Sequence, residues 1–299
     1  MYKLIIRRLL FLFLRVFIFS FVVFFLLVPW LSVDEMIYWY WNWIREAITG
    51  DFGWSWYFNM PAIEIIAIRL PNTLRLLIVT LIMIYGIGIP IGIISGQNPN
   101  SWKDRFTLMF TQIGASFPSF TLALILIIAL ALERRWFPHR GSISLEMVNE
   151  TRFIQYQLAR LHHVILPALS LAIAQFIIPM KYLRGGIIDT TKQAFITTAR
   201  AKGVKGKDVF RKHVFKNALP PLIAIFPIQL ATILSGAIII EGIFAFPGLG
   251  DLIFTSFRHG DVWVVLALTL MFGIKTMLLT IIADILVIKL DPRVDFEKN

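Results

Sequence analysis

Six stretches of the chain are long, apolar and almost free of charge, at about Leu9–Leu31, Thr73–Gly96, Phe106–Leu132, Val164–Leu183, Leu219–Gly242 and Val262–Ile288. A bilayer core takes about 20 apolar residues per helix. The pattern therefore predicts an all-α, polytopic protein with six transmembrane helices. The polar intervals differ in kind. Residues 32–71 carry Trp39, Trp41, Trp43, Trp54 and Trp56, a density that suits a membrane–water interface. Residues 133–163 are mixed and polar, and residues 243–261 contain Phe246-Pro247-Gly248, a turn signal. Residues 184–217 form a long polar interval that a simple anchor or pore would not need. Lys3, Arg7 and Arg8 precede the first stretch, as they would a secretory signal. That stretch is too long for a signal's apolar core and no small-residue cleavage site follows, so it reads as a transmembrane helix.

Composition sharpens the picture. Apolar residues make up 58% of the chain and charged residues 16%, with 26 Phe and 9 Trp. A soluble domain of this size has too little interior to hide so much apolar surface. A soluble enzyme, a disordered chain and a secreted disulfide scaffold are thereby excluded. Cysteine is absent, which removes disulfides, thiol catalysis and cysteine metal sites. The net charge of +11 would suit nucleic acid, but its distribution points elsewhere. With the N-terminus in the cytoplasm, the intervals on that side hold 17 Lys and Arg, and the opposite intervals hold 8. The richer side is normally inside, so both termini are expected in the cytoplasm. No ladder of basic and base-stacking aromatic residues accompanies the charge, and no nucleic-acid partner is expected.

Interval 184–217 has helix formers on both sides of Gly203. Glycine tolerates the left-handed conformation that ends a helix, so a helix–Gly203–helix hairpin is predicted, loosened by Gly206. Ala194, Ala201, Val209 and Phe210 suggest a contact face. On pattern alone, a charged loop solvated among lipid headgroups is an equal reading. Gly88, Gly92 and Gly96 recur every fourth residue and share one helix face, a small-residue packing surface. Its neighbour is either another span or a second subunit. Lys275 lies near the middle of the sixth span, where an unpaired ammonium costs at least about 2.5–3.5 kcal/mol. Two readings stand side by side: a residue of a translocation path, or half of a structural ion pair. Gln229 in the fifth span and Glu241 at its outer end are further path candidates. The chain has no Gly-x-x-x-x-Gly-Lys-Ser/Thr loop, so nucleotide is not expected to bind here. His162 and His163 are adjacent and point about 100° apart on a helix, a poor ligand geometry, and no metal site is expected. Asn149-Glu150-Thr151 is a glycosylation sequon in form.

Several short motifs carry a family resemblance. They are Gly50-Asp-Phe-Gly53, Arg69-Leu-Pro-Asn-Thr73, Phe117-Pro-Ser-Phe120, Thr198-Ala-Arg-Ala-Lys-Gly203, His213-Val-Phe-Lys-Asn-Ala-Leu-Pro220, Phe244-Ala-Phe-Pro-Gly-Leu-Gly250 and Asp291-Pro-Arg293. Taken in order, they resemble the permease subunits of binding-protein-dependent ABC importers, above all the branch that carries oligopeptides, dipeptides, glutathione and nickel. Residues 193–217 resemble the EAA loop of that family, with Thr197 and Thr198 where its Glu and first Ala stand and Gly203 kept.

The resemblance implies the type I ABC importer transmembrane fold in a bacterial plasma (inner) membrane. It implies three parts: residues 1–72 with a tail, the first span and the external Trp-rich loop; residues 73–289 as the permease domain with coupling loop 184–217; and residues 290–299 as a cytoplasmic tail. Implied partners are a second homologous permease subunit, two ATP-binding subunits, an extracytoplasmic solute-binding protein and the lipid bilayer. The hairpin would dock on an ATP-binding subunit through Thr198, Ala199, Arg200, Ala201, Lys202, Gly203, Val204, Lys205, Asp208 and Phe210. ATP and Mg would sit on the partners, and this chain would be no enzyme and bind no cofactor. The implied function is a translocation path for peptides delivered by the binding protein. A nickel or glutathione permease is the alternative within the family. A stand-alone secondary transporter or channel is the alternative from another class; the repeated broken helices common in such transporters are not seen. A membrane-embedded enzyme would need a catalytic cluster, and none is evident.

Overall fold

The computed structural model describes residues 2–29, 31–143 and 152–290. The sequon at 149–151 and the motif Asp291-Pro-Arg293 lie outside them. The chain order is α1 (Tyr2–Leu27), α2 (Val33–Ile48), β1 (Trp54–Ser55), β2 (Met60–Pro61), α3 (Ala62–Gln97), α4 (Trp102–Ser116), α5 (Ser119–Leu126), α6 (Phe153–Gln175), α7 (Ile177–Thr191), α8 (Ala194–Ala201), α9 (Gly206–Asp208), α10 (Lys216–Ala218), α11 (Pro220–Ile243), α12 (Leu249–Arg258) and α13 (Val262–Leu290). Among the described residues, two π-helical stretches, Ile127–Glu133 and Val209–Phe215, continue α5 and join α9 to α10. The two strands form a single antiparallel ladder, with Trp54 opposite Pro61.

Among the described residues, α3, α6, α11 and α13 are long and apolar enough to cross a membrane. α1 adds a shorter apolar run, Phe13–Leu27. The third expected span is not one straight helix. α4 and the helix from Ser119 to Glu133 bend by 92° at their junction. Pro118 is the cause. It excludes the helical conformation from the residue before it, and Phe117 is extended at φ −96°, ψ 130°. The fourth expected span also departs from its reading, because α6 starts at Phe153 and gives way to α7 after Phe176.

Part of the expected external loop is helical too. Ser32 caps α2: its hydroxyl accepts from the Glu35 N–H, and the Glu35 carboxylate accepts from the Ser32 N–H at 2.9 Å. This reciprocal box satisfies two otherwise orphan donors. The hydrogen bonds from the Ser32 backbone and side chain hold the Glu35 carboxyl below its ordinary value.

The chain divides into two compact units. The first comprises Met1–Leu76, Pro138–Val164 and Ala231–Ile281. Among the described residues its core includes two clusters. One joins Ala62, Ile65 and Ile66 to Leu249, Leu252 and Val264. The other joins Phe24 and Val28 of α1 to Met36, Tyr40 and Trp43 of α2 and Leu266 of α13. The second unit comprises Leu77–Phe137, Ile165–Leu230 and Ile282–Asn299. Its core gathers Leu183, Ile187, Ile196, Val209, Val214 and Leu222. Lipid tails are as apolar as leucine, so such clusters gain little from the hydrophobic effect inside a membrane. Close packing and buried polar bonds carry more of the specificity there.

Candidate functional site

The hairpin lies in the second unit. α8 ends in a Schellman motif: the Gly203 N–H donates to the Arg200 carbonyl at 2.9 Å, and the Val204 N–H to the Ala199 carbonyl at 3.3 Å. The motif places Gly203 at the left-handed position, and its φ is +78°. Ala199 and Val204 both pack on the inner cluster, which supplies the apolar contact that accompanies such caps. The inner face is Ile196 and Val209, both buried. Of the four residues expected on a contact face, Val209 points inward, Phe210 is half-buried, and Ala194 and Ala201 are exposed. The outer surface presents Thr198, Arg200, Lys202, Gly203 and Lys205, all exposed, with Phe195 beside them. Asp208 reaches Lys212 at 3.7 Å one turn on. A groove of about 560 Å³ runs beside the second arm, lined by Ile93, Gln97, Lys207, Phe210 and Arg211 among others.

An ion pair with a buried carboxylate joins α7, the helix that leads into α8, to α4. Arg184 of α7 donates from Nε to Asp104 Oδ1 and from Nη2 to Asp104 Oδ2, each at 2.7 Å. The Ser95 hydroxyl of α3 also donates to Asp104 Oδ1, and the Asn100 N–H donates to Oδ2 at 2.8 Å. Asp104 is 1% exposed. The carboxylate thus ties α3, α4 and α7 together with a bidentate pair, the strong form of this bond. Close backbone approach serves the same helices. A Cβ added at Gly88 would stand 2.9 Å from the Phe176 carbonyl oxygen, and one at Gly92 2.9 Å from that of Met180. At Gly96 it would meet Ile187 at 3.0 Å. The glycine face is therefore turned to α7 and the residue before it. Gly186 does likewise for α10, where a Cβ would come within 2.7 Å of the Ala218 carbonyl.

In the first unit, the motifs around Asn72 and Pro247 meet each other. Asn72 donates to the Pro247 carbonyl at 2.8 Å. The Leu249 N–H donates to Thr73 Oγ1 at 2.8 Å, and the Gly250 N–H to Glu241 Oε2 at 2.6 Å. These N–H groups belong to the first turn of α12, which has no side-chain cap of its own. Helices α3 and α11 supply the missing acceptors. Arg160 and Arg75 both donate to Asn72 Oδ1, at 2.8 and 3.0 Å. Arg69 faces Asp251 at 3.5 Å. Burial pushes the Asp251 carboxyl up, while Arg69 and Arg258 pull it down. Nearby, the Ser55 hydroxyl donates to Asp261, whose carboxyl is raised by burial and lowered by that bond.

The path candidates fall in separate places. Glu241 is wholly buried on the turn just described. Gln229 is 1% exposed; it accepts from Tyr85 Oη at 2.8 Å and donates to the Gln175 carbonyl at 3.3 Å. Pro179 stands four residues after Gln175 and has no N–H to offer that carbonyl. Gln229 fills its place. Lys275 is half-buried, with Nζ 4.6 Å from the centre of the Phe272 ring. Sequence reasoning missed Asp104, Arg184 and Gly186. The only local signals were a charge just before the third apolar stretch, another just after the fourth, and a Gly185-Gly186 pair inside a helix.

The chain matches the family model described as binding-protein-dependent transport system inner membrane component over residues 88–296. The oligopeptide transport system permease protein AppB of Bacillus subtilis (strain 168) is 39% identical over 259 residues, 86% of this chain and 80% of that one. The glutathione transport system permease protein GsiC of Escherichia coli (strain K12) is 31% identical over 268 residues, 89% and 82% of the two chains. Among solved structures, the inward-facing MetNI methionine ABC transporter has a chain that superposes with TM-score 0.58 at 17% identity, covering 77% of this chain and 97% of that one. At that identity the likeness speaks for the fold, which is the type I ABC importer transmembrane fold. With a family match over most of its length and relatives aligned over 86% and 89% of it, the chain belongs to the binding-protein-dependent transport system inner membrane components, the permeases of ABC importers.

Proposed function

We propose that this chain lines the membrane path of an ATP-driven importer for peptides handed over by an external binding protein. Relatives named for oligopeptide and glutathione transport support a peptide cargo. The observation that carries the coupling reading is the hairpin, a sharply capped helix with an exposed basic outer surface resting on a packed inner face. In this reading Thr198–Phe210 docks on a separate ATP-binding subunit, which holds ATP and Mg. The complex has two such subunits and a second, similar permease. α1, α3, the bent pair from α4 onward, α6, α11 and α13 make six spans, with both termini in the cytoplasm. Lys275 faces the path; of the three candidates it is the one partly exposed.

The test is reconstitution. The assembled importer in liposomes, given loaded binding protein, is expected to take up peptide only when ATP is present. Glutathione and nickel serve as parallel cargoes. Cysteine at position 205, the only one in the chain, should crosslink to an ATP-binding subunit. Uptake by this chain alone, down a gradient and without ATP, would overturn the reading in favour of a stand-alone transporter.

A further inference from the structure

At about 100° per residue, the circumference of α2 divides into three arcs. The first is packed. Met36, Tyr40, Trp43 and Ala47 are buried against Phe24, Val28 and Leu266. Tyr40 Oη lies 2.6 Å from Ser20 Oγ and donates to the Phe17 carbonyl at 3.1 Å. Both partners lie before the end of α1 at Leu27, so α2 meets the side of that helix and not only its tip.

The second arc lies about 60–140° round from the centre of the packed face. It carries Val33, Ile37, Trp41 and Ile48, which are 59%, 51%, 49% and 81% exposed. The third arc carries Asp34, Glu35, Arg45 and Glu46, all exposed, with Asn42 and the exposed rings of Tyr38 and Trp39 among them. A helix bathed in water would be polar over all of its free surface. A helix wholly covered by a protein partner would be apolar on both flanks. One wholly apolar flank, and one that mixes charges with a Tyr and a Trp, is the division found in helices that lie in the plane of a membrane interface, where such rings settle at the headgroup level. Arg45 sits where the two arcs meet, with its guanidinium 5.6 Å from the centre of the Trp41 ring. A long cation whose stem follows apolar surface and whose head stays wet behaves in this way at interfaces.

We infer that α2 is an interfacial helix whose Val33–Ile37–Trp41–Ile48 flank rests on phospholipid acyl chains. The occupant follows from continuity. α1, against which α2 is packed, exposes Ile18, Val22, Phe25 and Leu26, and in an inner-membrane permease such a helix face is covered by lipid. The apolar flank of α2 extends that covered surface. The inference needs the membrane setting of the family, and neither the cargo nor the number of spans enters it.

The chain has no cysteine, so single nitroxide labels can be placed at 37, 41, 48, 35 and 46 in the assembled importer in phosphatidylethanolamine–phosphatidylglycerol liposomes. Collision with oxygen, which partitions into lipid, is compared with collision with a water-soluble nickel chelate. The oxygen collision should dominate at 37, 41 and 48, and the sign of the contrast should reverse at 35 and 46. Dominance of the chelate at all five positions would mean a helix in water, and low collision with both reagents at 37, 41 and 48 would mean a protein cover; either overturns the inference. A second measurement avoids a label at Trp41. With brominated phospholipid, Trp41→Phe should remove part of the quenchable tryptophan fluorescence, and unchanged quenching would equally overturn it.

Discussion

Removing the Asp104 carboxylate should cost more than any exposed charge in this chain. Asp104→Ala deletes both 2.7 Å bonds to Arg184 and the bonds from Ser95 and Asn100. It also leaves the guanidinium without a counter-charge. Breaking a buried pair by removing one partner costs about 3–5 kcal/mol. The Arg184 side chain keeps 22% exposure, so part of it regains water. That places the expected loss near the lower end, about 3 kcal/mol. Arg184→Ala leaves the 1%-exposed carboxylate without its counter-charge, held only by Ser95 and Asn100, and should cost at least as much. The double variant removes both charges at once and should be less damaging than the sum of the singles by roughly 1–3 kcal/mol. Equilibrium unfolding in mixed micelles of graded dodecyl sulfate, followed by tryptophan fluorescence, measures all four corners of the cycle. If the double variant equals the sum within about 0.5 kcal/mol, the pair is uncoupled and the argument fails. α7 leads directly into α8, so the single variants should also lower ATPase stimulation by loaded binding protein.

Gly203 offers a cleaner perturbation, because an added Cβ meets nothing within 4 Å and only the backbone suffers. Gly203→Val should strain the cap by about 1–3 kcal/mol and uncouple ATPase from binding protein, while Gly203→Asn, whose side chain tolerates φ > 0, keeps most of the response; equal behaviour of the two variants would refute a left-handed requirement. Gly92→Ala should lose about 1–3 kcal/mol through overpacking against the Met180 backbone. Gly86→Ala, in the same helix with open space around it, should be neutral or gain up to about 1 kcal/mol; melting of the two variants side by side decides. Lys275→Met should leave assembly intact and alter uptake if the ammonium faces the path, and unchanged uptake by an intact complex would remove it from the path.

What a single sequence could reveal was mostly local. The cap at Gly203 was legible because a glycine between two helix-forming runs has a conformational meaning that no distant residue alters. The face of Gly88, Gly92 and Gly96 was legible from spacing, though its neighbour was not. α2 was readable in principle: Ser32-x-x-Glu35 is a capping-box signature, and Met36, Tyr40, Trp43 and Ala47 fall on one stripe. The density of Trp drew the eye to the interface and away from the period. The bend at Phe117 was signalled by Pro118, but summed hydropathy carries no direction and smoothed it into one span. Asp104 with Arg184, and Asn72 with Pro247, are separated by 80 and 175 positions. Nothing in one chain's pattern links residues so far apart.

The break before Pro118 bears on the order in which this protein is assembled in its membrane. Proline has no N–H, so the Gly114 carbonyl, four residues earlier, lacks the donor that would satisfy it inside a helix. The other carbonyls in the last turn of α4 are similarly open. In hydrocarbon each such group costs several kcal/mol unless protein or water attends it. A straight span can rest alone in lipid before it finds its neighbours; a span bent by 92° cannot hold that shape there. Ala115, Ser116, Phe117 and Pro118 are exposed in this chain, so the bend has to form late, beside water or under cover that the assembled complex supplies. In biosynthesis this segment would leave the insertion machinery as a straighter, provisional helix and take its final form as the complex assembles.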